Sequence, residues 1–448
     1  MVNISIIMPL YNAEKYLEET LQSISMQKYK EYELICINDA STDGTIKILN
    51  KFCTLNNRIK ILENRIHLGA ANSRNRGIDA AKGKYITFFD GDDIFDEELL
   101  ELSYKEIEKY NADVVMYEYM HVPSECIYEK KRIWRSNLFI ERYCKKPFSI
   151  QEFAPIEFMN WSTSPCNKLY KKSFISSNKL EFQSLQSYND VYFVSMALLL
   201  ASKLVMLDDR RVMLYARDHN VKTRISYNRT PMCLYNAIEK IGKKLVEKLL
   251  FKQLYQYYYY EAFYHFCTAI SKTKSIQIAK EFYSFLQQEG VDNVVKLCSE
   301  YNILLDNHIY NIAEKFKYCD FDSKWYLDES ILKFYLNKNK KEVIAYFQSC
   351  KNQYKKIAVW GAGKNGKILL DFLQINNIEI DELIDKNNKK QGQMVNRYVI
   401  KKPEDIFEKI QIIIISSRYI YNENIVSLEK EGIKIVNLEE LVQRGYSY

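Results

Sequence analysis

The chain has 448 residues, 47% of them hydrophobic, with only 13 Gly and 7 Pro, which suits two or three cored domains and excludes a linker-rich or disordered chain. Its formal net charge of +7 is mild and scattered; it suits anionic small molecules or an anionic membrane surface and carries no nucleic-acid signature. Ten scattered cysteines without a Cys-x-x-Cys pair, and the lack of a run of about 18 apolar residues, exclude zinc modules and membrane spans and point to a reducing, cytoplasmic setting.

The N-terminus passes straight into a strand, with no basic leader. Ile4–Pro9 is a β-rich run. Ala13–Gln27 has helical spacing through Leu17, Thr20, Leu21 and Ile24. Tyr32–Asn38 is a second strand, Thr45–Asn56 a second helix and Ile59–Glu63 a third strand. Ala70–Ala81 is a third helix, ended by Gly83, and Tyr85–Asp90 a fourth strand. This alternation predicts an α/β fold with a doubly wound, mainly parallel sheet, and places ligands at the carboxyl ends of the strands. Val191–Leu207 reads as a buried helix followed by a strand. From about 230 to 350 the pattern turns helical. Tyr255–Tyr260 within it reads as a packed helix face, with an aromatic carbohydrate platform as the alternative. At Lys355 the strand and helix alternation restarts. The expected division is therefore a catalytic domain over 1–225, a helical middle over 226–350 and a small Rossmann-like unit over 351–448.

The fourth strand ends Phe88-Phe89-Asp90-Gly91-Asp92-Asp93. Three carboxylates after a Phe-rich buried strand are costly unless a cation neutralises them. An oxygen-only set favours Mg²⁺ or Mn²⁺, which suits a diphosphate. The alternative is an acidic turn that caps the next helix. Three further clusters accompany it: Pro9-Leu10-Tyr11-Asn12-Ala13-Glu14, Asn38-Asp39-Ala40-Ser41-Thr42-Asp43-Gly44-Thr45, and Asn72-Ser73-Arg74-Asn75-Arg76-Gly77.

Together these four motifs closely resemble the family 2 inverting glycosyltransferases of the GT-A fold, over about residues 3–120 and more loosely to 225. The resemblance implies residue roles. Tyr11 would present a ring to the nucleobase with the Pro9 backbone beside it. Asp39 would accept from a base imide N–H, selecting uracil or thymine, and Arg74 would sit near the base or diphosphate. Asp90 would reach the ribose or the metal, and Asp92 would be the main metal ligand. Asn38 stands where the family usually has the first Asp of a pair. Ser41, Thr42 and Asp43 read as turn and cap residues.

Asn167-Lys168-Leu169-Tyr170 and Tyr188-Asn189-Asp190 resemble the segments that carry the family's catalytic base, with Asn189 in place of a Glu. Asp190 is the expected base, and a helix N-cap is its alternative role. Leu214–His219 resembles the family's diphosphate-closing segment, so Arg217 would bind phosphate and His219 would be a further metal or phosphate ligand; Arg224 has a similar status. His67 and His121 have no partner that the sequence names.

Trp360-Gly361-Ala362-Gly363-Lys364-Asn365-Gly366 is a G-x-G-x-x-G turn between a strand and a helix. Asp385 ends the next strand, 22 residues after Gly363 (385 − 363). The unit resembles the nucleotide-binding domain at the front of bacterial sugar acetyltransferases. A second nucleotide site on Gly361, Gly363, Gly366 and Asp385, or an assembly module with an empty pocket, would both need the glycines.

The expected activity is metal-assisted transfer from a nucleotide-sugar donor, a UDP-sugar, to a hydroxyl of a saccharide, lipid-linked or protein-linked glycan. The resemblance places this in bacterial surface polysaccharide or glycoprotein assembly, at the cytoplasmic face. Peripheral membrane contact and a homo-oligomer are compatible with it, and no nucleic-acid partner is expected. Two other readings compete with it. A nucleotide-sugar sensor would not need Asp92 and Asp190, and a pyrophosphorylase would need a Gly-rich basic loop where Pro9–Asn12 stands.

Overall fold

Short aliphatic runs, those of the central strands buried on both faces, alternate with amphipathic segments through the first half of the chain. In the computed structural model they form β1 (Ile4–Leu10), α1 (Glu14–Ser25), β2 (Tyr32–Asn38), α2 (Thr45–Leu55), β3 (Ile59–Glu63), α3 (Gly69–Ala80) and β4 (Tyr85–Phe88). There follow β5 (Ile94–Phe95), α4 (Leu99–Tyr110), β6 (Val114–Met116), β7 (Tyr119–Pro123), β8 (Lys168–Lys171), α5 (Lys172–Asn178), α6 (Val191–Leu200), β9 (Leu204–Met206) and β10 (Leu214–Asp218). The structure describes residues 2–123, 146–153, 155, 158, 162–207, 214–218, 230–273, 275–323, 336, 340–385, 387, 390–402, 405, 410–415 and 433–437.

The first sheet has seven strands in the order β3-β2-β1-β4-β8-β6-β9. The first four pair in parallel, and only β8 runs against its neighbours. Parallel pairing needs long crossovers, which α1, α2 and α3 supply. α1 buries Leu17, Leu21 and Ile24, the residues at helical spacing. α3 approaches β1 closely because Gly77 has no side chain: a Cβ there would lie 2.4 Å from Ile7 Cγ2. A small second sheet, β5-β10-β7, stands beside the end of β4. The expected mainly parallel α/β fold is the observed one.

Two compact units divide the chain. The first holds Met1–Arg132 and Phe139–Asp328; the second holds Ile133–Leu138 and Glu329–Tyr448. In the first unit, five α-helices among the described residues follow the sheets: α7 (Pro231–Glu247), α8 (Phe251–Lys272), α9 (Ile276–Phe285), α10 (Val291–Glu300) and α11 (Asn307–Tyr318). Tyr257, Tyr258, Tyr259 and Tyr260 on α8 are all buried. The Tyr257 hydroxyl donates to the Ile150 and Phe153 carbonyls (3.1 and 2.9 Å), and that of Tyr259 to the Val294 carbonyl (3.1 Å). The tyrosine run is therefore packing and not an exposed platform.

Glu261 on α8 is buried in the same core. One carboxyl oxygen accepts from the Ser195 hydroxyl on α6, and the other has no hydrogen-bond partner. Burial pushes its pKa up to about 8, and the Ser195 bond only partly opposes this. His265, one turn on, holds its Nε2 3.9 Å from this carboxyl. A carboxyl raised in the folded state stabilises below its unfolded pKa of about 4.3, and that contribution is lost as pH rises toward about 8. Glu261→Gln is thus expected to melt about 2–4 °C above the wild type at pH 8.5, with the two alike at pH 5. Scanning calorimetry at both pH values checks it, and an equal gap at both would contradict it.

The second unit contains α12 (Lys340–Gln353), β11 (Ile357–Trp360), α13 (Lys364–Ile375), β12 (Glu382–Ile384), β13 (Met394–Val395), β14 (Tyr398–Lys401), β15 (Ile412–Ile415) and β16 (Lys434–Asn437). Its sheet has the order β13-β14-β12-β11-β15-β16, parallel except at β13. No helix among the described residues is long and apolar enough to cross a membrane.

Candidate active site

The site grows from the carboxyl ends of β1, β2 and β4, side by side in the sheet. The loops after β1 and β2 are laced together. Asn12, in the left-handed region at φ 49°, accepts from the Thr42 amide (2.8 Å) and donates its own amide to the Ser41 hydroxyl (3.1 Å). The Glu14 amide donates to Asp43 (3.0 Å), and Glu14 in turn accepts from the Gly44 amide (2.8 Å). Asp43 also accepts from the Thr45 amide (3.0 Å). Ser41, Thr42 and Asp43 are thus turn residues, as their spacing suggests.

Asp39 follows β2 and is 2% exposed. It accepts from Asn64 Nδ2 (2.6 Å) and from the Leu68 and Gly69 amides (2.9 and 2.8 Å), and His67 Nδ1 lies 2.9 Å from Oδ2. Burial raises its pKa, but these donors outweigh burial and hold the carboxylate below its ordinary value. Tyr11, at the end of the β1 strand and Pro9, is 49% exposed, and its ring lies 3.9 Å from that of His67. Tyr11 and Asp39 are therefore joined by His67, and Pro9 lies on β1 two residues before Tyr11. Asn64 is buried and also accepts from Arg76, so it fixes the Asp39 carboxylate from behind.

The second cluster centres on Arg74 of α3, which is 7% exposed. Its Nη2 donates to Asp90 Oδ1 (2.9 Å), its Nη1 reaches Asn189 Oδ1 (3.5 Å), and its Nε has no partner. The guanidinium lies 5.4 Å from the Phe182 ring. Burial disfavours its charge, but Asp90, and then Cys166 and Asp190, outweigh this and raise its pKa. Arg74 therefore joins the acidic turn to the segment of the expected base. Asp90 and Asp92 are half-buried and Asp93 is buried. The helix after this turn starts at Leu99 with no side-chain cap, so the turn does not serve as a helix cap.

Asp190 precedes α6 and makes no side-chain cap hydrogen bond to it. Tyr188, two residues earlier, is in the left-handed region at φ 57°, a strained conformation for a bulky residue, while Asp190 itself has helical dihedrals at φ -86° and ψ -26°. Lys168 on β8 is buried, and its ammonium donates to the Ser162 and Ser164 carbonyls (2.8 Å each) and to Asn167 Oδ1 (2.7 Å). Burial pushes Lys168 down to about 7, against the pull of Cys166 and Asp190. Three acceptors match the three protons of an ammonium, so the charged form is the one this geometry suits.

Arg217 lies on β10, two residues past the Tyr215–Ile94 pair and toward the acidic turn. Its side chain, His219 and Arg224 lie outside the described residues. Among the described residues no group of three or more His, Cys, Asp or Glu is arranged to hold a metal. Sequence reasoning left His67 without a partner and gave Lys168 and Asn64 no role of their own. Only the position of Asn64 and His67 between β3 and α3 offered a signal.

In the second unit Gly361 takes φ 109°, which a side chain would strain, and Gly363 precedes α13, which holds Gly366 in its first turn. Asp385 accepts from the Ala362 amide (2.9 Å) and the Asn387 amide (2.9 Å), with Lys390 Nζ at 3.2 Å. It thus braces the glycine turn.

The sequence of residues 5–173 matches the family model Glycosyl transferase family 2, and residues 332–430 match the C-methyltransferase C-terminal domain model. The chain is 30% identical over 253 residues to glycosyltransferase GlyG of Streptococcus pneumoniae, covering 55% of this chain and 81% of that one. It is 27% identical over 219 residues to the poly(ribitol-phosphate) beta-N-acetylglucosaminyltransferase TarS of Staphylococcus aureus, covering 47% of this chain and 35% of that one. The crystal structure of S. aureus TarS 1–349 in complex with UDP-GlcNAc superposes with a TM-score of 0.56 at 20% identity, over 70% of this chain and 88% of that chain.

Proposed function

The chain belongs to glycosyl transferase family 2, and from that premise we propose that its first unit transfers a sugar, with inversion, from a UDP-type donor to an acceptor hydroxyl in bacterial surface glycan assembly. The observation that carries this reading is Arg74, a buried cation that ties the acidic turn to the Asp190 segment, together with a buried Asp39 whose donors hold its carboxylate below the ordinary value. The UDP-sugar bound by TarS supports the choice of base.

Pro9, Tyr11 and Asp39 hold the base. The Asp39 carboxylate accepts an imide N–H, which uracil offers and cytosine lacks. In this reading Arg74 and Arg217 bind the diphosphate, as forked donors suit anionic oxygens. The half-buried, oxygen-only pair Asp90 and Asp92 fits a hard divalent cation, Mg²⁺ or Mn²⁺, with His219 as a further ligand. When bound, such a cation supplies positive charge to the leaving diphosphate. Asp190 takes the proton of the acceptor hydroxyl. The acceptor oxygen then bonds to the anomeric carbon from the face opposite the departing diphosphate, which leaves with the bonding pair.

The first unit's helices α7 to α11 shape the acceptor side in this reading, and the enzyme works at the cytoplasmic membrane face. The 351–448 unit binds a nucleotide or nucleotide-sugar at Gly361, Gly363 and Gly366, with Asp385 supporting the turn. Calorimetry tests the donor site. UDP is expected to bind the wild type with Mg²⁺, CDP about tenfold more weakly, and Asp92→Ala to lose about tenfold for UDP. Equal affinity for UDP and CDP would remove Asp39 from the base site.

A further inference from the structure

His67, for which the sequence names no partner, fills the base subsite. Its ring lies on Tyr11 with centroids 3.9 Å apart and planes 34° apart. Its Nδ1 stands 2.9 Å from Asp39 Oδ2. These are the two contacts assigned above to the nucleobase: a ring face on Tyr11 and an N–H on the Asp39 carboxylate. An imidazole with Nδ1 protonated satisfies both.

The other donors to Asp39 cannot yield to a ligand. Asn64 is buried, and the Leu68 and Gly69 donors are main-chain amides. The His67 side chain is 52% exposed. Its neighbours Ile66 and Leu68 stand 66% and 42% exposed, so the chain on either side of the imidazole is not core, while the Leu68 and Gly69 amides keep the segment tied to Asp39. Gly69, at φ 84° with open space where a Cβ would be, ends it. Of the groups on the Asp39 carboxylate, the imidazole is the one free to swing away.

We propose that His67 is a built-in plug of the base subsite, an intramolecular competitor that the donor nucleobase must displace. The inference rests on the assignment of Tyr11 and Asp39 to the base. It makes His67 a specificity residue, because an entering base must offer both a stacking face and an N–H donor to replace what the imidazole already supplies. A plug lowers apparent affinity by the fraction of molecules in which the site is open.

The test is calorimetry on the full chain with UDP and with inorganic pyrophosphate, for wild type and His67→Ala, with Mg²⁺ throughout. The expected result is UDP binding roughly 3- to 10-fold tighter in His67→Ala, with pyrophosphate affinity unchanged. The pyrophosphate arm separates release of the base subsite from a general change in the site. If the variant binds UDP equally or more weakly while the wild type binds it well, His67 is a supporting contact and the plug is wrong. A gain for pyrophosphate as large as that for UDP would also overturn it. If neither protein binds UDP, the base-site reading fails and takes the plug with it.

Discussion

Asp190→Asn is expected to lower kcat by about 10²- to 10⁴-fold, with the Kd for UDP changed less than about twofold. The substitution keeps size and hydrogen-bonding shape and removes only the basic oxygen. Three features favour a chemical role over a capping one. Asp190 makes no side-chain cap bond to α6. Tyr188 spends strain just before it. Its charge is felt by both buried cations, Arg74 and Lys168. Were Asp190 only an N-cap, the Asn variant would keep its activity, because Asn caps as well as Asp does. Steady-state turnover together with UDP calorimetry separates the two cases.

Asp90→Ala is expected to destabilise the fold by roughly 2–4 kcal/mol, clearly more than Arg74→Met does. The asymmetry follows from exposure. The Arg74 side chain is 8% exposed and the Asp90 side chain 42%. Removing Asp90 strands a buried guanidinium that cannot shed its proton. Removing Arg74 leaves a carboxylate that water can solvate. The Arg74 Nε already lacks a partner, so the site has little reserve to compensate. Both variants should abolish transfer, since each cuts the tie between the acidic turn and Asn189. Chemical denaturation of the two variants checks the order, and equal losses would show that the pair behaves as a solvated surface bridge.

The parts of the fold legible in the sequence are those written in local periodicity. Tyr32–Asn38 and Ile59–Glu63 are strands with the bounds their apolar runs imply, and Val191–Leu207 divides into helix and strand as expected. The turn chemistry of Asp43 was legible for the same reason, since its partners lie next to it or in the motif beside it. Long-range pairings were not legible. The bond between Arg74 and Asn189 spans 115 residues, and that between Ser195 and Glu261 spans 66. Neither residue type in those pairs announces its partner. The insertion of β8 between β4 and β6 is equally silent, because an antiparallel strand carries the same aliphatic signal as a parallel one. His67 has no partner legible in the sequence because a single His between two elements has no periodicity; its meaning comes only from the Tyr11 ring and the Asp39 carboxylate that the sheet brings to it.

The most direct test of the account is nucleotide release from UDP-, GDP-, dTDP- and CMP-sugars with Mn²⁺, with and without EDTA, on wild type and Asp190→Asn. The account predicts turnover of a UDP-sugar that EDTA suppresses and that falls by about 10²-fold or more in Asp190→Asn. Binding of no donor by the wild type, or unchanged turnover in Asp190→Asn, would contradict it.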